Sequence, residues 1–454
     1  MNIFIKNAKI ITMNKGKEII DKGEILIKDD KIIDLGKDID IKNFKVDKEI
    51  DAEGNIVMPG LINGHNHFEQ SFMLGLTRLY TGNTGQWIKK FKIPLTQQMN
   101  KRDYYLSNML TSIQLIRNGV TTSMNSVCQQ SPDKIMEFGI EEAIRAVEET
   151  GIRSIIAVGP ADRFEPEEFL VDAERAADIV KTSIEQWNHD IEDRVRIWAG
   201  PAGIFSASKK LWSAIKKIVD CHDVGIHTHI ASFETGDIVK ADEYGFLGPN
   251  VTGAHCVWLN SEEIKIMKEK KVNAIHNPIY KLSYAIDSSV NKFGDGIAPV
   301  NEMIKNNITV GLGQDGCMGD TQNLFKEMRC LAFTQQYKML DKNIFKPYQL
   351  LKMVTINNAK AMLWEEEIGS LEKGKKADLI IISLESPNNY PKTDTLANLV
   401  YQGNGRDVQT VIIDGNIVME NKKIQNINTE MILKKANIAA NELVQRTNVK
   451  SLLR

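Results

Sequence analysis

Apolar residues recur with two different periods along this chain, and the changes of period divide it into stretches. From Asn2 to about Met58, short alternating runs (IFIKNAKIITM, EILIKDDKIIDLG, DAEGNIVM) are separated by turn residues and predict hairpins. A second strand-rich block, from about Gly369 to Ile424, holds ADLIIIS and VQTVIIDGNIVMENKKI, with Asp414-Gly415 as a tight hairpin turn. Neither block has enough strands to bury both faces of a sheet alone. The two are therefore expected to pair into one small β-sandwich domain that brings the chain ends together.

Between them the pattern switches to apolar runs, each followed by a helix-like stretch. The runs are 56–63, 119–125, 153–160, 194–203, 224–231, 251–258, 272–278 and 308–316. IEEAIRAVEETG is one of the helical stretches, with Ile140, Ala143, Ile144 and Val147 at helical spacing, and Asn260 and Glu263 are placed to cap another. Eight strand-helix units in a row predict a closed, distorted (β/α)8 barrel, a TIM barrel, with an open doubly wound sheet as the structural alternative. The expected division is 1–58 and 369–425 for the small β-domain, 59–368 for the barrel and 426–454 for a helical tail.

Composition narrows the function classes. With 42% hydrophobic and 26% charged residues over 454 positions the chain has the makings of a large folded core. A formal net charge of −2 supplies no electrostatic footprint for a polyanion, so nucleic acid is not an expected partner. No run of about 18 apolar residues predicts a membrane span. Cysteines at 128, 221, 256, 317 and 330 show neither C-x-x-C nor disulfide-framework spacing, and the start of the chain alternates like a strand rather than a leader, which predicts a cytoplasmic protein.

The candidate chemistry sits at strand ends. Of the eight histidines, His65 and His67 follow the first barrel strand, His227 and His229 lie on the fifth, His255 ends the sixth and His276 the seventh, while Asp315 ends the eighth. In a parallel barrel these ends share one rim, the face where active sites are built. His65 and His67 are two apart, so a strand's period aims both imidazoles to one side, where they can grip a single ion. A third histidine and an aspartate would complete a set with an open position, suited to activating water. Spacing does not choose between His227 and His229 as the third ligand. His255 is a candidate to polarise the attacked carbon's substituent or to steer water, with a supporting hydrogen bond as its plainer role. His276 is a candidate substrate contact, against a role in shaping the loop at Pro278.

PGLINGHNH, GIHTHIASFE, AHCVW, IHNP, GIAPV and GLGQDG together resemble the amidohydrolase superfamily. They are most similar to its branch of guanine deaminase, S-adenosylhomocysteine/methylthioadenosine deaminase, melamine deaminase and atrazine chlorohydrolase. The resemblance implies a metal-dependent (β/α)8 hydrolase in which His65, His67, His229 and Asp315 bind one divalent ion, zinc or sometimes iron. It further implies that Asp315 doubles as the base and that His255 faces the substrate. Gln70 falls where guanine deaminase and the triazine hydrolases carry a glutamine, and an amide there can pair with a ring nitrogen and an exocyclic group together. Trp87 in TGQWIKKF matches an aromatic beside the family's ligand pocket, with plain core packing as the competing account.

Three positions depart from that pattern. Deaminases of the branch place a glutamate three residues after the strand-five ligand, to carry a proton to a ring nitrogen, whereas this chain has Ser232, with Glu234 the nearest acid in sequence. Ring protonation would then fall to Glu234, Glu69 or water. Ala202 replaces a histidine in the loop after strand four, and IYKLSYAIDSSVNKFGDG replaces a shorter pocket-side loop. The expected function is an aminohydrolase that releases ammonia from a small nitrogen heterocycle such as a purine, pterin or triazine. Two alternatives stand beside it: a hydrolase of a cyclic amide or of a non-amino leaving group, and a metal-binding protein without catalysis. The small β-domain and the tail NTEMILKKANIAANELVQ offer surfaces for a homo-oligomer.

Overall fold

The computed structural model describes residues 1–80, 84–284, 296–316 and 322–452. Cys317 and positions 285–295 of the IYKLSYAIDSSVNKFGDG stretch lie outside the described residues.

Seventeen described strands fall into two sheets. From the N-terminus come β1 (Asn2–Ile11), β2 (Ile19–Lys28), β3 (Lys31–Gly36), β4 (Lys48–Asp51) and β5 (Ile56–Pro59). The barrel strands are β6 (Leu61–Asn66), β7 (Val120–Cys128), β8 (Arg153–Gly159), β9 (Val195–Ala199), β10 (Ile226–Ile230), β11 (Val251–His255), β12 (Asn273–His276) and β13 (Val310–Leu312). The C-terminal strands are β14 (Leu379–Ile382), β15 (Val408–Ile413), β16 (Asn416–Glu420) and β17 (Lys423–Ile424).

β6 to β13 form a parallel eight-stranded sheet whose neighbours follow sequence order, as a strand-helix-strand chain requires. The ring closes at its seam through the Asn66–Asp315 bridge and the His65 carbonyl, which accepts from Gln314 N (3.0 Å) and Asp315 N (2.9 Å). Asn358 pins the same seam below, its amide donating to Ile62 O on β6 (2.6 Å) and Leu312 O on β13 (2.7 Å). The helices that cover the barrel form where the apolar spacing places them. Ile140–Thr150 buries Ile140, Ala143, Ile144 and Val147, and Ser261–Lys270 starts in a capping box of Asn260 and Glu263.

Strands from both chain ends join one nine-stranded sheet in the order β17-β16-β15-β14-β5-β1-β2-β3, with β4 paired to β1. Its core mixes the two ends: Ile3, Ile5, Ile10, Ile25 and Val57 pack with Leu379, Ile381 and Ile412. The run 56–63, read from sequence as one strand, is divided. Residues 56–59 pair antiparallel with β14, whereas from Leu61 onward the chain pairs with β7. The exchange occurs at Pro59-Gly60: Gly60 N donates to Asp378 O and Leu61 N to Gly119 O, so one apolar run serves two sheets in turn. The hairpin between β15 and β16 turns on Asp414 (φ 48°) and Gly415 (φ 67°), the paired left-handed conformation that favours Asp-Gly.

The two sheets are tied by a buried ion cluster. Arg153, at the start of β8 and fully buried, donates through Nε to Asp378 (3.1 Å) and through Nη2 to both Asp378 (3.2 Å) and Asp414 (2.5 Å). Lys376 adds a contact to Asp414 at 3.0 Å. Trp364 lies between Arg153 and Arg196, with the guanidinium carbons 5.2 and 4.0 Å from its ring. Among the described residues no helix is long and apolar enough to cross a membrane.

Candidate metal centre and active site

Six histidines and one aspartate meet at the C-terminal mouth of the barrel, carried there because a parallel ring points all its strand ends to one face. The ligand atoms of His65, His67 and His229 lie within 4.8 Å of one another, as do those of His65, His255 and Asp315. Asp315 Oδ1 is 3.5 Å from His65 Nε2 and 3.4 Å from His67 Nε2, and His67 Nε2 is 3.3 Å from His229 Nε2. The rings of His67 and His229 stack at 5.4 Å with an interplanar angle of 5°.

Hydrogen bonding separates His227 from His229. His227 Nε2 lies 2.8 Å from His65 Nδ1, on the side of that ring away from the cluster, while His229 Nε2 faces His67 Nε2. His67 Nδ1 lies 2.8 Å from the carbonyl of Ser126. These contacts leave the Nε2 atoms of His65, His67 and His229 pointing at a common centre. Buried His65 Nε2 and Asp315 Oδ2 have no hydrogen-bond partner, an orphaning that a bound cation would relieve.

Protonation states agree with ligation. Burial pushes His67, His227 and His255 well below the ordinary imidazole value, His229 down to about 3 and His276 to about 4, so all five are neutral at pH 7. Burial opposes ionisation of Asp315, but His65, His255 and His67 outweigh it and hold the carboxyl well below its usual range. The nitrogens of His65, His67 and His229 with the Asp315 carboxylate are a donor set that fits a divalent transition ion with a position left open.

Around this cluster the other expected residues divide. His255 Nε2 lies 3.5 Å from Asp315 Oδ2, the oxygen turned away from His65 and His67. Both residues sit in the left-handed backbone region, with φ 78° at His255 and 64° at Asp315, conformations that surrounding structure must hold in place. His276 Nδ1 lies 3.1 Å from the His255 carbonyl, which makes it a neighbour of His255 rather than of the ligand cluster. Gln70 is buried against the backbone after Asp315: a Cβ at Gly316 would lie 1.8 Å from Gln70 Oε1, so only glycine permits the contact. Glu69 is buried beside it and pushed up to about 7 by desolvation, against the pull of Lys92. Trp87 stacks on Phe91 at 6.2 Å within an apolar cluster that also holds Tyr280, and Tyr280 stacks on His255 at 5.3 Å.

Ser232 and Glu234 separate sharply. Ser232 is 5% exposed and its hydroxyl has no partner, whereas Glu234 is exposed and makes no hydrogen bond or ion pair among the described residues. The loop carrying them is organised by buried Glu263, which accepts from Thr235 Oγ1 (2.6 Å), Gly236 N (3.0 Å) and Ile238 N (3.1 Å). The geometry thus gives no support to Glu234 as an acid inside the site, because the loop turns it into solvent. Ala202 is buried in the loop after β9.

Two further groups were not singled out by sequence reasoning. Asn277 Nδ2 lies 3.1 Å from His255 Nδ1, which places a donor behind that ring. Lys281 is buried and donates to the Ser232 carbonyl at 2.6 Å, its ammonium over the rings of Phe233 (5.0 Å) and Tyr280 (5.7 Å). Burial lowers this lysine to about 8. The signal for both was HNPIYK directly after the seventh strand.

Residues 56–418 match the model of the amidohydrolase family. The chain is 35% identical over 457 residues to a 5'-deoxyadenosine deaminase of Methanobrevibacter smithii, a match covering 97% of this chain and 98% of that protein. It is 31% identical over 460 residues to a 5-methylthioadenosine/S-adenosylhomocysteine deaminase of Thermoanaerobacter pseudethanolicus, covering 98% and 100%. Among solved structures it superimposes on zinc-complexed atrazine chlorohydrolase from Arthrobacter aurescens TC1, with TM-score 0.87, 22% identity and 96% and 100% coverage. An adenosine deaminase from Xanthomonas campestris with bound zinc gives TM-score 0.86 at 17% identity, covering 98% of each chain. With the family model spanning the barrel and its flanking strands, and full-length relatives above 30% identity, this chain belongs to the amidohydrolase family.

Proposed function

We propose that this protein is an aminohydrolase that replaces an amino group on a carbon of a nitrogen heterocycle by oxygen and releases ammonia. The observation that carries it is the meeting of His65, His67, His229 and Asp315 at one point, with His255 facing the second oxygen of Asp315. Zinc is the ion proposed, in line with the nitrogen-rich donor set and the zinc in both structural neighbours. When bound, such an ion lowers the pKa of water toward neutrality and so supplies a nucleophile at pH 7.

The chain's own groups then move the protons. Asp315, ionised at neutral pH, accepts a proton from the attacking water. Neutral His255, with Asn277 donating to its Nδ1, carries its proton on Nε2 and donates toward the oxygen that adds to the ring carbon. Asp315 passes its proton to the departing nitrogen, and the carbon–nitrogen bond breaks as ammonia leaves. Gln70, packed against Gly316 directly after Asp315, and its buried neighbour Glu69 are the groups proposed to hold a ring edge by hydrogen bonds. The relatives named as deaminases of adenosine-type compounds support a purine-like ring. The four described cysteines are free thiols, which suits the cytoplasmic location proposed for the enzyme.

A second reading is favoured by one specific observation: Ser232 occupies a buried position and Glu234 is exposed, so no carboxylic acid stands on that loop inside the site. The same centre would then open a cyclic amide or displace a non-amino group. A panel of purines, pterins, pyrimidines, triazines and cyclic amides, assayed for ammonia and for ultraviolet change with zinc-loaded and chelated protein, separates the readings. Ammonia release from an amino-heterocycle, abolished by chelation, is the expected result. Turnover without ammonia would establish the second reading, and no turnover with no stoichiometric metal would overturn both.

A further inference from the structure

Lys281 poses a problem of charge that the reaction above does not use. Its side chain is buried, its ammonium donates one hydrogen bond, to the Ser232 carbonyl, and no carboxylate lies within ion-pair distance among the described residues. A buried ammonium satisfied by one neutral acceptor is destabilising unless another group with negative character meets it. Ser232, whose carbonyl takes that bond, has a buried hydroxyl with no partner. The nearest acid with a resolved influence on the lysine is Asp315, whose carboxylate is committed to the histidine cluster. The ammonium thus keeps N–H groups without an acceptor among the described residues, and so does the hydroxyl of the residue whose carbonyl it holds.

We propose that Lys281 and Ser232 form a recognition subsite for an oxygen or ring nitrogen bearing negative charge, so that the substrate is an amino-heterocycle carrying an acidic N–C=O edge or a carboxylate. This rests on the aminohydrolase reading and narrows its substrate class. The ammonium meets the anionic edge, the Ser232 hydroxyl donates to it, and Phe233 and Tyr280 wall the cation from solvent. Lys281 would thereby orient the ring with its amino-bearing carbon toward Asp315.

The test compares matched pairs with zinc-loaded protein: adenine against guanine and isoguanine, and melamine against ammelide. For each pair the ratio of kcat/KM for the oxo compound to that for its oxo-free partner is measured. The oxo compounds are expected to be preferred, and Lys281→Met to lower that ratio about 10- to 100-fold, as expected for a lost hydrogen bond to a charged group. Lys281→Arg should recover part of it, and the loss should fall mainly on KM. Ser232→Ala, which keeps the carbonyl that anchors the lysine, should lower the ratio by a smaller factor and serves if Lys281→Met does not fold. Ammonia release with a ratio unmoved in the variants would overturn the subsite while leaving the aminohydrolase reading intact. Should no compound release ammonia, calorimetric titration with isoguanine and ammelide against adenine and melamine tests the subsite alone: preferential binding of the oxo compounds, lost in the variants, supports it, and equal binding overturns it.

Discussion

His65 Nδ1 and His227 Nε2 lie 2.8 Å apart, one strand's histidine supporting another's across the barrel mouth. The direction of the proton between them decides whether His65 can bind a cation. If His65 donates from Nδ1, its Nε2 presents a lone pair to the cluster; if His227 donates, Nε2 carries hydrogen and ligation is blocked. His227 therefore acts on the ion by fixing a tautomer. His227→Ala is expected to weaken zinc affinity about 10- to 100-fold. His227→Gln, whose carbonyl oxygen can accept the same proton, should recover part of the loss. Competition with a chelating dye reads this directly, and unchanged affinity in the alanine variant would refute it.

Asn277 stands in the same relation to His255. With its amide 3.1 Å from Nδ1, it leaves Nε2 as the protonated nitrogen facing Asp315. Asn277→Leu removes that donor and is expected to lower kcat by about 10- to 100-fold with zinc content unchanged, a loss typical of groups that orient a reacting residue. His255→Ala should cost about 10²- to 10⁴-fold. The double variant should then be little worse than His255→Ala alone, since both act through one ring. Additive losses would show that Asn277 works independently.

How much of this site can be read from sequence depends on what kind of constraint each residue obeys. The convergence of His65, His67, Asp315 and a strand-five histidine was legible because strand ends in a parallel barrel share a rim, whatever separates them along the chain; the preference for His229 over His227 came from the family resemblance, since spacing treats the two alike. Asp414-Gly415 was legible because few residue pairs accept two successive left-handed conformations. The split at Pro59-Gly60 was not, since an apolar run looks alike whether it pairs with one sheet or two. Ser232 and Glu234 are two residues apart, yet one is buried and the other exposed, and only the loop built around Glu263 decides that. Lys281 escaped notice for the converse reason: a lysine in a short helix reads as solvent-facing until the loop that covers it is known.

The buried histidines also set a pH dependence for the metal-free protein. Unfolded imidazoles titrate near 6.5, whereas His229 and His276 are held at about 3 and about 4, and His67, His227 and His255 well below the ordinary value, all by burial. Above about pH 6.5 neither state binds protons and these groups contribute nothing to a pH slope. As pH falls below that value the unfolded chain takes up protons that the folded chain refuses, so stability is lost progressively toward the folded pKa values. Each imidazole adds up to about 1.4 kcal/mol per pH unit in this window. The unfolding temperature of chelated protein, followed by calorimetry, should fall steeply between pH 6.5 and 5, five imidazoles outweighing the opposite slope of Glu69, whose raised carboxyl takes up its proton more readily in the folded state. A level profile through that lower range would contradict the burial of neutral imidazoles.

The last expectation concerns the joint between the barrel and the nine-stranded sheet. Arg153 enters from β8, Asp378 immediately precedes β14, and Asp414 sits in the β15–β16 turn, so one guanidinium ties three segments remote in sequence. Neighbouring charges keep Arg153 protonated even though desolvation opposes it. Arg153→Met removes the cation and leaves two carboxylates facing each other in the interior, with Lys376 (3.0 Å) and Arg194 (3.8 Å) as the cations that remain beside Asp414. That change should destabilise the protein by about 3–5 kcal/mol, the range for breaking a buried pair on one side. Adding Asp378→Leu removes one of the stranded charges and should restore part of the loss, although Asp378 also accepts from Asp414 N at 2.8 Å, and that bond goes with it. Asp414 is best kept, because the turn needs a residue that tolerates a positive φ. Denaturant unfolding of the single and double variants distinguishes the cases: a double variant less stable than Arg153→Met would mean that the turn's bond to Asp378, rather than charge pairing, holds the joint.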